Sequence, residues 1–382
     1  MKKNLLFVVV TCLCALTWSS ESEAMRFGAF EINPSLSLEE LFTDNVFETN
    51  TDRRSDFSTV ITPALQIIFP RTKKKYTVEL YYQAALERFN RFTSENADNH
   101  KAIGKFDEKF PGGLELFVSD EFNRTHDLRG TNLTPELAFY KSNLVTSSAA
   151  YELSERVKMR VDYTNFILNY EDDSNKFRNR TDNGVMGYVY YRCLPKTSAF
   201  IEYDFVMIDY VKSDELDSRE HHFYGGVTWD ITGKTKGTVK AGYGIKDFLN
   251  TGIGGYKGAI VELVIDHNFN TRNSLKIRGT RSTEETNIEG NNFFVTTGLS
   301  LEYFHKFTGK ITGKAFASYE RDSYRGDQPI KDDLWEGGLG IIYQIRKWLR
   351  TEAQYSYTKR NSDSEDFRYS NNVYSLKIVA TP

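Results

Sequence analysis

The sequence predicts an all-β fold, a transmembrane up-and-down antiparallel β-barrel of about 18 strands with short periplasmic turns and longer extracellular loops. Three observations predict it. Beyond residue 24, the chain of 382 residues contains no apolar stretch long enough for a membrane-spanning helix. Short turn signals recur at nearly regular intervals, and the segments between them alternate apolar and polar side chains. Aromatic residues make up 14% of the chain, as expected for strands and for girdles at two membrane interfaces.

The N-terminus predicts export of the chain. Two lysines precede an apolar run that ends near Trp18, and a polar stretch then ends on the small residue Ala24. We therefore predict a secretory signal peptide over residues 1–24 and an outer-membrane barrel over residues 25–382. A retained anchor helix is the alternative, but the apolar run is short for a membrane span.

Composition narrows the classes of partner. Removal of the predicted signal peptide leaves Cys193 as the single cysteine, so the mature chain cannot form an internal disulfide. The formal net charge is -3, with 49 basic and 52 acidic residues. Without a basic excess, we predict no nucleic-acid partner.

The turn signals divide the chain into hairpins. Successive short turns are 38 to 43 residues apart and lie at Pro70, Pro111, Ser154, Pro195, Gly233, Thr271, Gly309 and Lys347. One strand on each side of every turn gives sixteen strands, and the segments 27–42 and 369–380 bring the total to eighteen. An even number of strands closes a barrel with both termini on the periplasmic side.

Longer and more acidic segments lie between the turns. We predict extracellular loops at residues 43–56, 93–100, 212–220, 282–292 and 321–333. A regular alternation of short and long connections is typical of outer-membrane barrels.

The segment Ser198–Tyr210 shows how the strands separate two faces. Ile201 and Tyr203 fall on an apolar face, and Glu202 and Asp204 fall on the opposite face. A soluble β-sandwich gives the same alternation. Eight successive hairpins without a predicted helix, with strands longer than the usual length of about 5–6 residues, favour a barrel whose apolar face contacts lipid.

The charged residues on the polar faces predict a hydrated lumen, because a barrel of about 18 strands is wide enough for an aqueous channel. The predicted channel-lining residues are Glu79, Glu87, Lys158, Arg160, Asp162, Glu202, Asp204, Lys240, Glu262, Lys276, Arg278, Glu302 and Lys314. The alternative is that these groups pair across neighbouring strands and only fill the wall. Aromatic residues such as Tyr190 and Tyr224 could stack on sugar rings, although such residues are more often strand formers or girdle members.

Two motifs near the N-terminus carry a family resemblance. PSLSLEELFTDNVFETN begins at Pro34 and SDFSTVITPALQIIF begins at Ser55. Together they resemble the opening of the putative β-barrel porin 2 family, bacterial outer-membrane proteins often encoded beside exopolysaccharide or capsule biosynthesis genes. Pro34 and Pro63 fall where that family's pattern places them, and Pro63 predicts a bulge because proline removes a ladder donor.

The resemblance implies a porin-like function in the bacterial outer membrane. The expected activity is passive or secretion-linked passage of polar solutes, with exopolysaccharide as a candidate solute. The expected partners are outer-membrane lipid and the barrel assembly machinery. One departure is the terminus VYSLKIVATP, in which Pro382 replaces the usual final aromatic residue.

Two other functions remain open. A structural or adhesive barrel would lack conductance. A less favoured hydrolase would use a rim site near His221 and His222, since a carboxylate with a histidine can act as general acid and base. Adjacent residues of a strand point to opposite faces, so only one histidine could join such a site. We predict that the protein is not an enzyme and has no cofactor, because His-x-His, CxxC and phosphate-loop spacings are absent from the sequence.

Overall fold

The computed structural model describes residues 25–70, 75–127, 129, 137–230 and 234–381. The predicted signal peptide and Pro382 lie outside the described residues. The strands are β1 (Met25–Phe27), β2 (Phe30–Thr43), β3 (Asp56–Phe69), β4 (Tyr76–Phe89), β5 (Ala97–Lys109), β6 (Leu114–His126), β7 (Phe139–Glu152), β8 (Val157–Tyr170), β9 (Arg180–Leu194), β10 (Thr197–Tyr210), β11 (Ser218–Asp230), β12 (Thr235–Phe248), β13 (Tyr256–Asn268), β14 (Asn273–Glu285), β15 (Asn291–Lys306), β16 (Ile311–Gly326), β17 (Lys331–Arg346), β18 (Leu349–Ser362) and β19 (Tyr369–Ala380).

Strands β2 to β19 form a closed antiparallel barrel of eighteen strands, which confirms the predicted fold class. Each strand pairs with the next one in the chain, and β19 pairs with β2 from Val373 opposite Thr43 to Ala380 opposite Leu36. The three-residue strand β1 folds back on the start of β2. Within the described residues, the helices are four 3₁₀ segments in the extracellular loops: Thr93–Glu95, Asp173–Arg178, Asp214–Leu216 and Glu365–Phe367. None of the described helices has the length and apolarity needed to cross a membrane.

The two faces of the wall differ in composition. On β10, Ile201 is 66% exposed on the outside, whereas its neighbour Glu202 is 5% exposed on the inside. Tyr203, Phe223 and Tyr243 lie opposite one another across β10, β11 and β12, and all three are exposed on the outside. Such a row of aromatic rings on an apolar surface is the expected contact with the lipid interface.

Two details of the sequence-based prediction were wrong. The segments 282–292 and 321–333 were predicted as loops, but most of their residues extend strands β14 to β17. Their polar composition indicated loops, but strand pairing continues into both segments. Pro63 was expected to cause a bulge, yet β3 keeps one register with β2 and with β4 on both sides of it.

Strands β13 and β14 pair over only part of their length. Strands β13 and β14 pair only from Val261 opposite Arg281 to Asn268 opposite Ser274. The upper part of β13, Tyr256 to Ile260, pairs with β12 but not with β14. The upper half of β14 is therefore separated from β13, while β15 stays paired with β16. The upper halves of β14 and β15 are here called the inner hairpin (residues 282–297).

Candidate functional site

The candidate site is the inner face of the barrel, where charged residues form two regions. In the first region, on β13 to β16, cross-strand pairs join Asp266 to Arg278 at 2.7 Å and Lys314 to Glu302 at 3.4 Å. Lys276 lies opposite both Asp266 and Glu302, and its side chain is 48% exposed. These side chains point inward and are nevertheless partly exposed, so they border open space inside the barrel.

The second region combines charges with tyrosines on β8 to β12. The Arg160 guanidinium contacts Asp162 at 2.7 Å and lies 4.0 Å from the ring centre of Tyr188. Tyr188 stacks on Tyr190 with ring centres 5.9 Å apart. Flat aromatic faces beside fixed cations are the groups that bind planar or ring-shaped polar solutes.

Lys240 connects the two regions across the inner wall. Its ammonium contacts Glu202 at 2.7 Å and Glu262 at 3.0 Å, and it lies 4.2 Å from the ring centre of Tyr224. Glu202 is buried beside it, whereas the side chain of Glu262 is 49% exposed. The exposed carboxylate of Glu262 therefore borders open space inside the barrel.

The remaining predicted lining residues lie on the same inner face. Glu79 accepts from Gln66 at 3.0 Å and Glu87 accepts from Ser58 at 2.8 Å. Lys158 pairs with Glu115 at 2.6 Å and borders a cavity of about 520 Å³ near the periplasmic end. All thirteen predicted residues have polar partners, so cross-strand pairing and solvent exposure occur together on this wall.

The inner hairpin covers part of the interior near the extracellular end. Lys246 of β12 is fully buried and pairs with Glu220 of β11 at 3.0 Å and with Glu285 of the hairpin. The hydroxyl of Tyr210 on β10 donates to Glu285 at 2.6 Å, and that of Thr283 donates to Glu220 at 3.0 Å. Charged and hydroxyl groups thus attach the hairpin to the inner surface of β10, β11 and β12.

Apolar contacts hold both sides of the inner hairpin. Phe293 and Val295 pack in a buried cluster with Ile208 and Phe248 from the wall. On the other side, the hairpin tip residue Ile288 packs in a second cluster, with Tyr324, Ile330 and Phe367. The hairpin is therefore held between β10 and β12 on one side and β16 with the loops after β16 and β18 on the other.

Sequence reasoning missed this hairpin because it assigned residues 282–292 to a solvated loop. One signal was present: Phe293 and Val295 keep a two-residue apolar period beyond the expected membrane level. Apolar side chains at this spacing need a buried apolar surface to pack against. The sequence does not show where that surface lies, and the fold does.

The two histidines considered for a rim site point in opposite directions. His222 faces inward, 3.2 Å from Glu220 and 3.8 Å from Asp204. His221 faces outward, where its ring packs against Phe205 and lies 2.9 Å from the Tyr203 hydroxyl. Among the described residues, no group of three or more His, Cys, Asp or Glu side chains has the arrangement of a metal site.

A family model described as putative beta-barrel porin 2 matches residues 21–381. The chain belongs to the putative β-barrel porin 2 family. Comparison with curated proteins gives no match.

Solved structures of other outer-membrane proteins resemble this porin 2 family member. OccAB3 of Acinetobacter baumannii has a TM-score of 0.50 at 12% identity, over 92% of this chain and 99% of that chain. OccK1 (OpdK) of Pseudomonas aeruginosa has a TM-score of 0.49 at 10% identity, over 92% and 98% of the two chains. OccK5 (OpdH) of the same organism has a TM-score of 0.48 at 12% identity, over 92% and 97%.

At such low identity, the likeness to OccAB3 concerns the fold alone. The porin 2 family member is a porin-like barrel, and this fold indicates the outer membrane, with lipid around its apolar face. The fold resembles porin channels, which are not enzymes.

Proposed function

We propose that this barrel is an outer-membrane channel for the passive or secretion-linked passage of polar solutes. One observation carries the proposal: Glu262 and Lys276 point inward on neighbouring strands, yet about half of each side chain contacts solvent. Fixed charges of both signs on a hydrated wall favour polar solutes and disfavour apolar ones.

Exopolysaccharide is the candidate solute within this proposal. The stacked pair Tyr188 and Tyr190 offers an aromatic surface beside Arg160, and Tyr224 lies under Lys240. Sugar rings use one apolar face for stacking and hydroxyl groups for hydrogen bonds, so both features support passage of a saccharide. Export through the signal peptide 1–24 and insertion by the barrel assembly machinery belong to the same proposal.

Vesicles that contain the purified barrel test the passage of solutes. We expect faster swelling in isosmotic arabinose and in isosmotic raffinose than for vesicles with heat-denatured protein. Folded, heat-modifiable protein that leaves swelling at the background rate in both sugars, as the native chain and after the inner-hairpin contacts are removed, would overturn the proposal. Efflux of a trapped fluorescent dextran then tests longer saccharides.

A structural or adhesive barrel is the second candidate. The inner hairpin favours it, because Glu285 and Phe293 fix a segment of chain against the inner faces of β10 and β12, inside the barrel. This candidate predicts no swelling either with the native chain or after the hairpin contacts are removed. Swelling that appears only after their removal would instead indicate a channel that is closed at rest.

A further inference from the structure

Polar side chains interrupt the apolar outer face of the barrel on β6 to β9. One lies on each of the four strands: Asp120, Asn143, Asn165 and Asn183. On β6, Asp120 lies between Val118 and Phe122 of the same face, and both of these apolar residues are exposed. The Asp120 side chain is itself exposed. It therefore points away from the interior of the barrel, toward lipid.

The strand register extends this face from β6 to β9. Phe122 pairs with Asn143 on β7. On β8, Asn165 is two residues beyond the exposed Tyr163, and its register partner on β9 is Asn183. All four polar residues therefore share the face that contacts lipid, and they are here called the outer polar group.

The outer polar group lies at a similar depth on all four strands, which are 13 to 15 residues long. Counted from the periplasmic end of each strand, the separations are six residues for Asp120, nine for Asn143, eight for Asn165 and eleven for Asn183. The group is therefore well separated from the periplasmic ends. Polar groups in contact with hydrocarbon have no water to bond, so any free donor or acceptor there is costly.

Hydrogen bonds within the outer polar group use only part of its capacity. Asn143 Nδ2 donates to Asp120 Oδ1 at 2.6 Å, and Asn165 Nδ2 donates to Asn183 Oδ1 at 2.9 Å. The Tyr163 hydroxyl donates to the same oxygen of Asn183 at 3.0 Å. Within the part of the chain that the structure describes, Asp120 Oδ2 accepts from no group and Asn183 Nδ2 donates to none. The group thus keeps a free acceptor on β6 and a free donor on β9.

A second copy of this chain matches the outer polar group in depth and in hydrogen bonding. Insertion gives every copy the same orientation, so the group on one copy lies at the depth of the group on its neighbour. A two-fold axis along the membrane normal, between β7 and β8, sets β6 of each copy opposite β9 of the other. The acceptor of Asp120 then faces the donor of Asn183 twice in one contact. Lipid chains offer neither donor nor acceptor.

Charges of both signs lie on the same face, toward the extracellular end. Both guanidinium contacts of Arg124 to Glu171 are 3.0 Å long, and the Lys141 ammonium lies 3.5 Å from the same carboxylate. Arg124 pairs in register with Lys141, two residues beyond Phe122 on β6. A surface of mixed sign can meet its own copy without net repulsion, whereas a surface of one sign cannot.

We propose that the outer polar group is the contact surface of a homodimer in the membrane. In this dimer, β6 to β9 of one protomer pack against β6 to β9 of its partner, and the two groups exchange hydrogen bonds. The contact lies on the outer face, so the inference goes beyond the proposed channel and does not depend on solute passage.

Sedimentation equilibrium of the full chain, folded in density-matched detergent micelles, tests the proposal. It measures the protein mass and, from the dependence on concentration, the dissociation constant. We expect the mass of two chains at a high ratio of protein to detergent and the mass of one chain at a low ratio. A folded, heat-modifiable chain that stays monomeric at every ratio would overturn the proposal.

Three variants locate the contact. Asp120→Leu removes the free acceptor, and the double variant Asn165→Leu and Asn183→Leu removes the free donor. Each should raise the dissociation constant at least about tenfold. Leucine suits a lipid-facing position, so both variants should keep the heat-modifiable gel shift. Thr351→Leu is the matched control, because Thr351 pairs with the exposed Tyr343 on the far side of the barrel, and it should change the constant less than about twofold.

Two further outcomes separate the contact surface from the channel. A dimer that persists unchanged in both variants of the outer polar group would contradict the assigned surface. A dimer that depends on Asp120 and Asn183, in a protein without solute passage, would support the inference and contradict only the channel.

Discussion

Lys246 illustrates how one inner-face charge can be removed from water. Its ammonium has no solvent exposure, and the carboxylates of Glu220 and Glu285 surround it. The alternation of inward and outward side chains along β12 predicts from the sequence that this lysine points inward. Its burial is not predictable in the same way, because the carboxylate of Glu285 reaches it only through the lean of the inner hairpin.

Replacement of Lys246 by methionine should destabilise the extracellular half of the barrel. It removes the ammonium that Glu220 and Glu285 share, and of these two buried carboxylates only Glu220 keeps a neighbouring histidine, His222 at 3.2 Å. Loss of one partner of a buried ion pair costs about 3–5 kcal/mol. Lys276→Met is the matched control, because that lysine is 48% exposed and its pair contributes at most about 1 kcal/mol. Thermal unfolding followed by the gel mobility shift measures both. Equal transition temperatures for the two variants would contradict the assigned role of Lys246.

Glu48, in the loop after β2, gives a pH-dependent prediction. Burial raises the pKa of Glu48 from 4.5 to about 7, although Tyr369 and Asn371 favour its charged form through hydrogen bonds. A raised carboxyl pKa means that the folded loop binds the proton more tightly than the unfolded loop. Stability at this site is therefore full below pH 4.5 and falls by about 3 kcal/mol as the pH rises through 7.

Glu48→Gln should remove that dependence. We expect hydrogen exchange of the backbone of residues 44–55, corrected for intrinsic rates, to be slower at pH 5 than at pH 7.5 in the native chain. The variant should exchange slowly at both values. A native loop whose protection rises with pH would show that the carboxylate is favoured in the folded state and would contradict the prediction.

The inner hairpin is the element that most affects the shape of the interior. Its separation from β13 begins above the pair of Val261 and Arg281, and the Arg281 side chain donates to the Ala259 carbonyl at 3.2 Å. That bond satisfies a backbone acceptor that strand pairing leaves open. The gap lies near the extracellular rim, where water can reach the remaining unpaired groups.

Sequence patterns predicted the existence and order of the strands better than the lengths of the strands. The closing strand was predicted at residues 369–380, and the structure has Tyr369–Ala380. A two-residue period and a tight turn are local properties, so they can be read from the chain. Strand extension above the membrane depends on pairing with a neighbour, as for β16 and β17, and a polar segment such as 321–333 does not reveal it.

Loosening the inner hairpin should increase ion flow. In the double variant Phe293→Ser and Val295→Ser, the hairpin loses the apolar packing that holds it against Ile208 and Phe248. We expect larger single-channel conductance in planar bilayers. Leu249→Ser is the control, since this exposed leucine on the same rim is not part of the cluster. A double variant with native conductance would show that the hairpin does not limit flow.

At the scale of the whole molecule, the interior is asymmetric. The inner faces of β10 to β12 are covered by the hairpin near the extracellular end, whereas β13 to β16 carry charges that contact solvent lower in the barrel. The outer face is uniform by comparison, with exposed apolar and aromatic residues. The amino-acid sequence predicted the closed barrel, because closure follows from the number of strands and the alternation of side chains along each strand. The asymmetry could not be predicted, because it arises from contacts between hairpins distant in the sequence.

The central claim is that Glu262 faces a hydrated path through the barrel. Glu262→Lys reverses one charge on that path, and Asp247→Lys makes the same type of change on the exposed outer side of the neighbouring strand β12. The two variants are compared most directly by their ion selectivity in planar bilayers, which is measured from the reversal potential in a salt gradient. We predict steps of current with both variants. Their ion selectivity should shift toward anions in Glu262→Lys and stay native in Asp247→Lys. Folded protein without current steps, or an equal shift in both variants, would contradict it.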